Sequence, residues 1–353
     1  MTRFSMKNSV VAGLATVLCL LGGTAQADQN YNYGSYPCEP CDACPDRCCF
    51  STCCVDDQCG FFVGADLLFW TACQKNLDCV ISQKELSEGF FEFNRHVVDY
   101  DWSVGYRVFG GYRMGVDDWE VSAVFTHWNN DATGTFDISF IDGETEVDGR
   151  VSCKTKVDYD VIDILLARSY QLGCDSQFKP FFGFRGVWLD QDWTSIDLLA
   201  EGCPPVRKFH SDVFARGLHA GSSFHWDGCE GFGVWATAGA SLLEGDVRNK
   251  QEVDFDVENG VAYPQQTLKE SYCLPFAGYN LGAGIDYECC FTGCEGESII
   301  RLGLGYEFHN WFCVPQPVSD FSGDDILAED VSGVSTGSAL MMHGLTFRVG
   351  YYF

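Results

Sequence analysis

The chain has 353 residues, with 50 acidic against 22 basic side chains and a formal net charge of −28. That imbalance argues against nucleic-acid binding, which needs a basic face, and says nothing about fold. Twenty cysteines are far more than a cytosolic chain of this length carries and point to an oxidising compartment.

Met1-Thr2-Arg3-Phe4-Ser5-Met6-Lys7 is followed by an apolar run from Val10 to Leu21 and then by Ala25-Gln26-Ala27. A positive start, a short apolar core and an A-x-A site predict a secretory signal peptide over residues 1–27, cleaved before Asp28. Loss of Arg3 and Lys7 takes the formal charge from −28 to −30. No other stretch approaches the roughly 18 apolar residues of a transmembrane helix. A membrane protein of this sequence must therefore be a barrel, since only helices and closed barrels satisfy their backbone groups in lipid.

Residues 28–59 are turn-rich, with no apolar periodicity, and read as a cysteine-rich periplasmic segment carrying Cys38, Cys41, Cys44, Cys48, Cys49, Cys53, Cys54 and Cys59. The spacing of the first four matches a ferredoxin-type C-x2-C-x2-C-x3-C run, but Cys49 rather than proline follows. Export as an unfolded chain favours disulfides over capture of zinc or an iron–sulfur cluster. Cys19 leaves with the signal peptide, and the nineteen cysteines that remain cannot all pair within one chain.

From Gly60 the pattern becomes long period-two alternation. Phe61, Val63, Ala65, Leu67 and Phe69 share one face; Val104, Tyr106 and Val108 lie opposite Arg107 and Arg113; Ile300, Leu302, Leu304 and Tyr306 lie opposite Arg301, Glu307 and His309. The alternation predicts ten strands at about 60–70, 100–113, 118–128, 156–169, 178–189, 208–225, 231–243, 272–288, 298–310 and 340–353. Links between them alternate short and long, as periplasmic turns and external loops do in an outer-membrane barrel with an even strand number. The fold class is thus all-β, a transmembrane antiparallel barrel over residues 60–353. Alternation in 89–98, 133–140 and 247–257 could raise the count to 16, which would leave a water-filled channel where ten strands would be largely plugged.

The acidic stretches 142–148, 244–258 and 320–330 read as solvated loops, or as part of a cation-preferring lumen. Trp70, Trp119, Trp128, Trp188, Trp193, Trp226 and Trp311 fall near strand ends, where interfacial girdles want aromatics, while Trp235 reads as core. The topology puts Cys174, Cys229, Cys289, Cys290 and Cys294 in periplasmic turns, and Cys73, Cys79, Cys153, Cys203, Cys273 and Cys313 near or in external loops. The periplasmic set, with the N-terminal cluster, is expected to form disulfides within the barrel or to other envelope proteins.

No enzyme activity and no cofactor are expected. The seven histidines form no H-E-x-x-H or other ligand pair, and neither a G-x-S-x-G elbow nor a P-loop is present. Ser222, His219 and Asp227 are the only triad worth weighing, and they read more simply as polar residues near a strand and its turn. Arg107, Arg113, Arg301, Glu307, His309 and Arg348 are the lumen-facing candidates, either tuning a channel's field or pairing to fill a narrow barrel.

The chain closes on Leu345-Thr-Phe-Arg-Val-Gly-Tyr-Tyr-Phe353, with Phe347, Val349, Tyr351 and Phe353 on one apolar face. Outer-membrane barrels commonly end so, and the barrel assembly machinery is expected to read it. Gly60-Phe-Phe-Val-Gly-Ala-Asp-Leu-Leu-Phe-Trp70, Pro180-Phe-Phe-Gly-Phe-Arg-Gly-Val-Trp188, Ala240-Ser-Leu-Leu-Glu-Gly245 and Arg301-Leu-Gly-Leu-Gly-Tyr-Glu307 precede that end. In this order they resemble the major outer membrane protein-like family of chlamydia- and legionella-type bacteria, in particular its cysteine-rich chlamydial branch. The resemblance implies an abundant porin in the outer-membrane lipid, often oligomeric and disulfide-linked, that passes small hydrophilic solutes or ions. A plugged structural barrel or surface adhesin is the alternative.

Overall fold

The computed structural model describes residues 60–74, 78–87, 90–115, 117–142, 145–173, 175–197, 206–228, 231–254, 257–258, 261–262, 266–293, 296–316 and 338–353. The chain divides into two units, 1–56 and 57–353. The expected signal peptide and the cysteines from Cys38 to Cys59 lie outside the described residues, as do Cys174, Cys203, Cys229 and Cys294 and the side chains of Cys79 and Cys290. Among the described residues no helix is long and apolar enough to cross a membrane.

The described chain is entirely β. In order the strands are β1 (Gly60–Gln74), β2 (Asp78–Ser87), β3 (Phe90–Val97), β4 (Ser103–Arg113), β5 (Trp119–Asp142), β6 (Thr145–Arg168), β7 (Tyr170–Gly173) and β8 (Ser176–Asp197). They continue with β9 (Val206–Asp227), β10 (Phe232–Asp254), β11 (Val257–Glu258), β12 (Val261–Ala262), β13 (Gln266–Gly293), β14 (Gly296–Val314) and β15 (Ser338–Tyr352). Ten of them close an antiparallel ring in the order β6-β5-β4-β1-β15-β14-β13-β10-β9-β8, sealed by the β6–β8 pairing. β7 adds a short extra edge to β8, while β2–β3 and β11–β12 are separate hairpins. The first and last wall strands pair along almost their whole length, from Phe62 opposite Tyr352 to Gln74 opposite Leu340.

The barrel therefore has ten wall strands, and the three stretches that suggested more do not add any. Residues 133–140 continue β5, 247–254 continue β10, and 90–97 form one arm of the β2–β3 hairpin. Three of the expected long loops, 129–155, 190–207 and 244–271, are largely wall, so the acidic run after Glu244 is strand before it is loop. Cys289 and Cys290 lie on β13 rather than in a turn, and Cys273, Cys153 and Cys313 are strand residues of β13, β6 and β14.

Two zones follow from the outward side chains. Near the short turns the outer face is apolar: Val63, Leu67, Val104, Val108, Phe182, Phe184, Leu218, Val234, Leu281, Leu304 and Phe347 are exposed. Exposing such groups is favourable only against lipid. Further along the same strands the outer face becomes hydrophilic, with Asp131, Thr133 and Asp137 on β5, Lys154 and Lys156 on β6, and Glu244, Asp246 and Arg248 on β10 all exposed. At about 3.3 Å per residue, the 24 residues of β5 or β6 run roughly 80 Å, or about 60 Å of height at the tilt of about 35–45° usual for such barrels, whose apolar band is about 25 Å tall. The wall thus stands well clear of the membrane. Phe347, Val349, Tyr351 and Phe353 all face outward from β15 or its end.

Candidate functional site: the barrel interior

Strand alternation sends the other half of each strand inward. The upper interior, towards the long loops, is a continuous apolar cluster that includes Trp70 of β1, Trp128 of β5, Val157 of β6, Leu189 of β8, Val213 of β9, Val247 of β10, Phe276 of β13, Trp311 of β14 and Met342 of β15. Each of these is at most 2% exposed. Trp311 stacks on Phe276, with ring centroids 4.9 Å apart and 11° between planes. Its Nε1 donates a 3.1 Å hydrogen bond to Tyr159 Oη. Tyr159 sits on β6 and Trp311 on β14, five places apart in a ring of ten. The two side chains thus meet across the full diameter. Gly278 is paired with Trp311 on β13, and a Cβ there would come within 2.5 Å of the indole; the missing side chain is what lets the ring swing over the lumen.

Trp70, Trp128, Trp193 and Trp311 were expected in an interfacial girdle, and they belong to this interior instead. Parity decides it: Trp70 has the even number of Asp66 and Leu68, not the odd number of Leu67 and Phe69. Trp226, Trp188 and Trp119 do keep the outward parity of their strands. Trp235 lines the interior.

Beneath the apolar cluster lies a charged layer. Arg107 forms a two-pronged pair with Glu307, at 2.9 and 2.7 Å, and reaches Asp66 at 2.9 Å. Arg348 makes its own two-pronged pair with Asp66, at 2.8 and 2.9 Å, and lies between the rings of Phe109 and Trp235, 5.4 Å from each. His309 Nε2 is 3.2 Å from Glu307 and its ring packs on Trp70. On the opposite wall Arg185 grips Asp163 at 2.6 and 2.8 Å and donates to Ser241 at 3.0 Å. Charge in a low-dielectric interior is tolerated only when paired and hydrogen-bonded, and these pairs meet that condition.

Below this layer a cavity of about 290 Å³ is lined by Arg107, Asp163, Arg185, His219, Trp235 and Glu307, among others. Its lower wall carries Glu120 with Lys179 at 3.2 Å and Arg113 at 3.8 Å. Arg301 pairs with Asp286 at 3.5 Å and with Glu288, and rests over Tyr352. All six lumen candidates are thus placed inside, and each of the four arginines has a carboxylate partner. The weighed triad is not assembled: His219 bonds Ser241 at 3.0 Å, Asp227 lies 3.2 Å from His225, and Ser222 has the outward parity of β9.

Sequence reasoning missed one grouping. His225, Asp286 and Glu288 present nitrogen and carboxylate oxygens all within 4.8 Å of one another. They come from β9 and β13, which never pair directly, so no linear spacing links them; the only signal is the i, i+2 placement of Asp286 and Glu288. Among the cysteines, Cys73, Cys273, Cys289 and Cys313 are free. Cys153 is buried and disulfide-bonded.

A closed ten-stranded wall with an apolar outer band and a paired-charge interior defines an outer-membrane β-barrel protein. Residues 55–353 match the family model described as the Legionella pneumophila major outer membrane protein precursor, and the chain belongs to that family. No curated protein matches it. Among solved structures it is similar to the outer membrane protease OmpT of Escherichia coli, at 9% identity over 83% of this chain and 96% of that one, with a TM-score of 0.43. It is also similar to Ail, the attachment invasion locus protein of Yersinia pestis (9% identity, 84% and 97% coverage, TM-score 0.21), and to a Pseudomonas aeruginosa FadL homologue (10% identity, 84% and 90% coverage, TM-score 0.24). At these scores none of the three bears on what this chain does.

Proposed function

We propose that this protein is a structural barrel of the outer membrane, closed at rest, that carries a stiff β-wall above the cell surface. The hydrogen bond between Tyr159 and Trp311 supports this most directly, because side chains from opposite walls in contact leave no water column at that level. The surrounding apolar cluster makes hydration there unfavourable, and dry constrictions of this kind block ions. Export through a signal peptide cleaved before Asp28, reading of the terminal strand by the assembly machinery, and disulfide links to copies of itself or to other envelope proteins belong to the same proposal. It has no catalytic part.

The porin reading is kept as a second one because of the charged cavity beneath the plug. In that reading small solutes cross only when the Trp311 layer shifts. Conductance of the refolded full chain in a planar bilayer separates the two. Silence from protein verified as folded and heat-modifiable supports the closed structural barrel; steady openings would establish a porin and overturn it.

A further inference from the structure

The grouping at the lower rim has features that plain ion pairing does not require. His225 of β9 faces Trp235 of β10 across one pairing, and Asp286 of β13 faces Gly233 of β10 across the next. The imidazole and carboxylate reach each other over the intervening strand, with His225 Nε2 at 2.9 and 3.1 Å from the two Asp286 oxygens. They can do so because Gly233 has no side chain. A Cβ there would lie 2.4 Å from Asp286 Oδ1 and 2.7 Å from His225 Nε2. The other imidazole nitrogen, Nδ1, is held by Asp227 at 3.2 Å. A histidine fixed through one nitrogen by a carboxylate, with the other aimed at two further carboxylates, is the arrangement that orients a metal-bound imidazole.

We propose that His225, Asp286 and Glu288 form a binding site for a divalent transition ion of the zinc type, with Asp227 as the positioning residue. One nitrogen and two oxygens suit a borderline ion better than calcium or magnesium, which take oxygen alone. Zinc–ligand bonds of about 2.0–2.2 Å need neighbouring ligand atoms somewhat over 3 Å apart, which the present spacing reaches by small side-chain rotations. Arg301 now supplies the positive charge, pairing with both Asp286 and Glu288. It also rests on the Tyr352 ring, 5.4 Å from the centroid, so it can release the carboxylates and keep that contact. Asp286 and Arg301 both line the cavity, which gives an ion a polar route to the site. Bound there, the ion would clamp β9 to β13 across β10 at the rim.

The test uses the full chain, folded in detergent, with every thiol alkylated so that the cysteine-rich segment cannot compete. Zinc chloride is titrated by calorimetry, and cobalt(II) by visible absorption, where nitrogen–oxygen and thiolate ligation differ. One equivalent is expected for the wild type, none for His225→Gln, and about 10- to 100-fold weaker binding for Asp227→Asn. Arg301→Gln, which removes the resident cation, is expected to bind more tightly, a gain that misfolding cannot imitate. Absence of a saturable equivalent in both wild type and Arg301→Gln would overturn the site, and so would binding unchanged by His225→Gln.

Discussion

Replacement of Trp311 by alanine tests the closed interior most sharply. The indole is 2% exposed, stacks on Phe276 and bonds Tyr159 from the opposite wall. Truncating a buried aromatic to alanine costs about 3–5 kcal/mol. Leaving the Tyr159 hydroxyl buried without its partner accounts for about 1–3 kcal/mol of such a loss, and the two figures overlap rather than add. Tyr159→Phe leaves the Trp311 Nε1–H buried without its acceptor, at about 1–3 kcal/mol, but keeps the ring in the lumen and so creates no cavity. Urea unfolding in detergent, followed by gel mobility, should therefore rank the wild type above Tyr159→Phe and both above Trp311→Ala. In planar bilayers the wild type and Tyr159→Phe should stay silent while Trp311→Ala opens. Steady conductance of the wild type at the level of Trp311→Ala would refute the reasoning, and a folded but silent Trp311→Ala would show that closure does not depend on this contact.

Three further outcomes follow from the same geometry. Asp66 is the shared anion of Arg107 and Arg348; Asp66→Asn should cost about 1.5–3 kcal/mol, the loss of charge-assisted hydrogen bonds, because Arg107 keeps Glu307 and Arg348 is only partly buried, and unfolding midpoints will show it. Leu304→Arg, in the apolar band, should destabilise by about 2–4 kcal/mol if placed near the bilayer midplane, whereas Thr133→Arg, on the hydrophilic outer face of β5, should be neutral; equal effects would misplace the membrane. The exposed Cys273 thiol donates to Asp246 at 3.2 Å, and that carboxylate holds its pKa above the usual thiol value. The thiolate is the reactive form, so alkylation of Cys273 should rise at higher pH in the wild type than in Asp246→Asn.

The barrel class and its minimum of ten wall strands were legible because lipid imposes an apolar outer face, and apolar alternation survives in a single sequence; alternation alone leaves the count above ten open. Strand lengths were not. Above the membrane both faces of β5, β6 and β10 carry polar groups, so Lys154, Lys156 and Glu244 look like loop residues although the backbone pairing continues. The plug was hidden for a different reason: a tryptophan near a strand end suits a girdle as well as an interior, and only its parity against Leu67 and Phe69 tells the two apart. The inward positions of Arg107, Arg301, Glu307 and Arg348 followed from that parity, but their partners did not. Pairing of Arg107 with Glu307 joins residues 200 apart in sequence, and depends on which strands face each other in a closed ring. His225 and Asp286 meet through a glycine on a third strand, which no linear pattern encodes.

The height of the wall also bears on how such a surface is recognised from outside. Asp131, Thr133, Lys154 and Lys156 stand on paired strands in fixed register, so an antibody or a phage meets a set of charges arranged by neighbouring segments rather than a single pliant peptide. Epitopes there are conformational: a linear peptide copying one strand presents its side chains without their cross-strand companions and should compete poorly. A protease that trims exposed loops has little purchase on a ladder whose backbone groups are already paired. Variation at this surface is then free to change side chains one at a time, while insertions are confined to the few connections at the top.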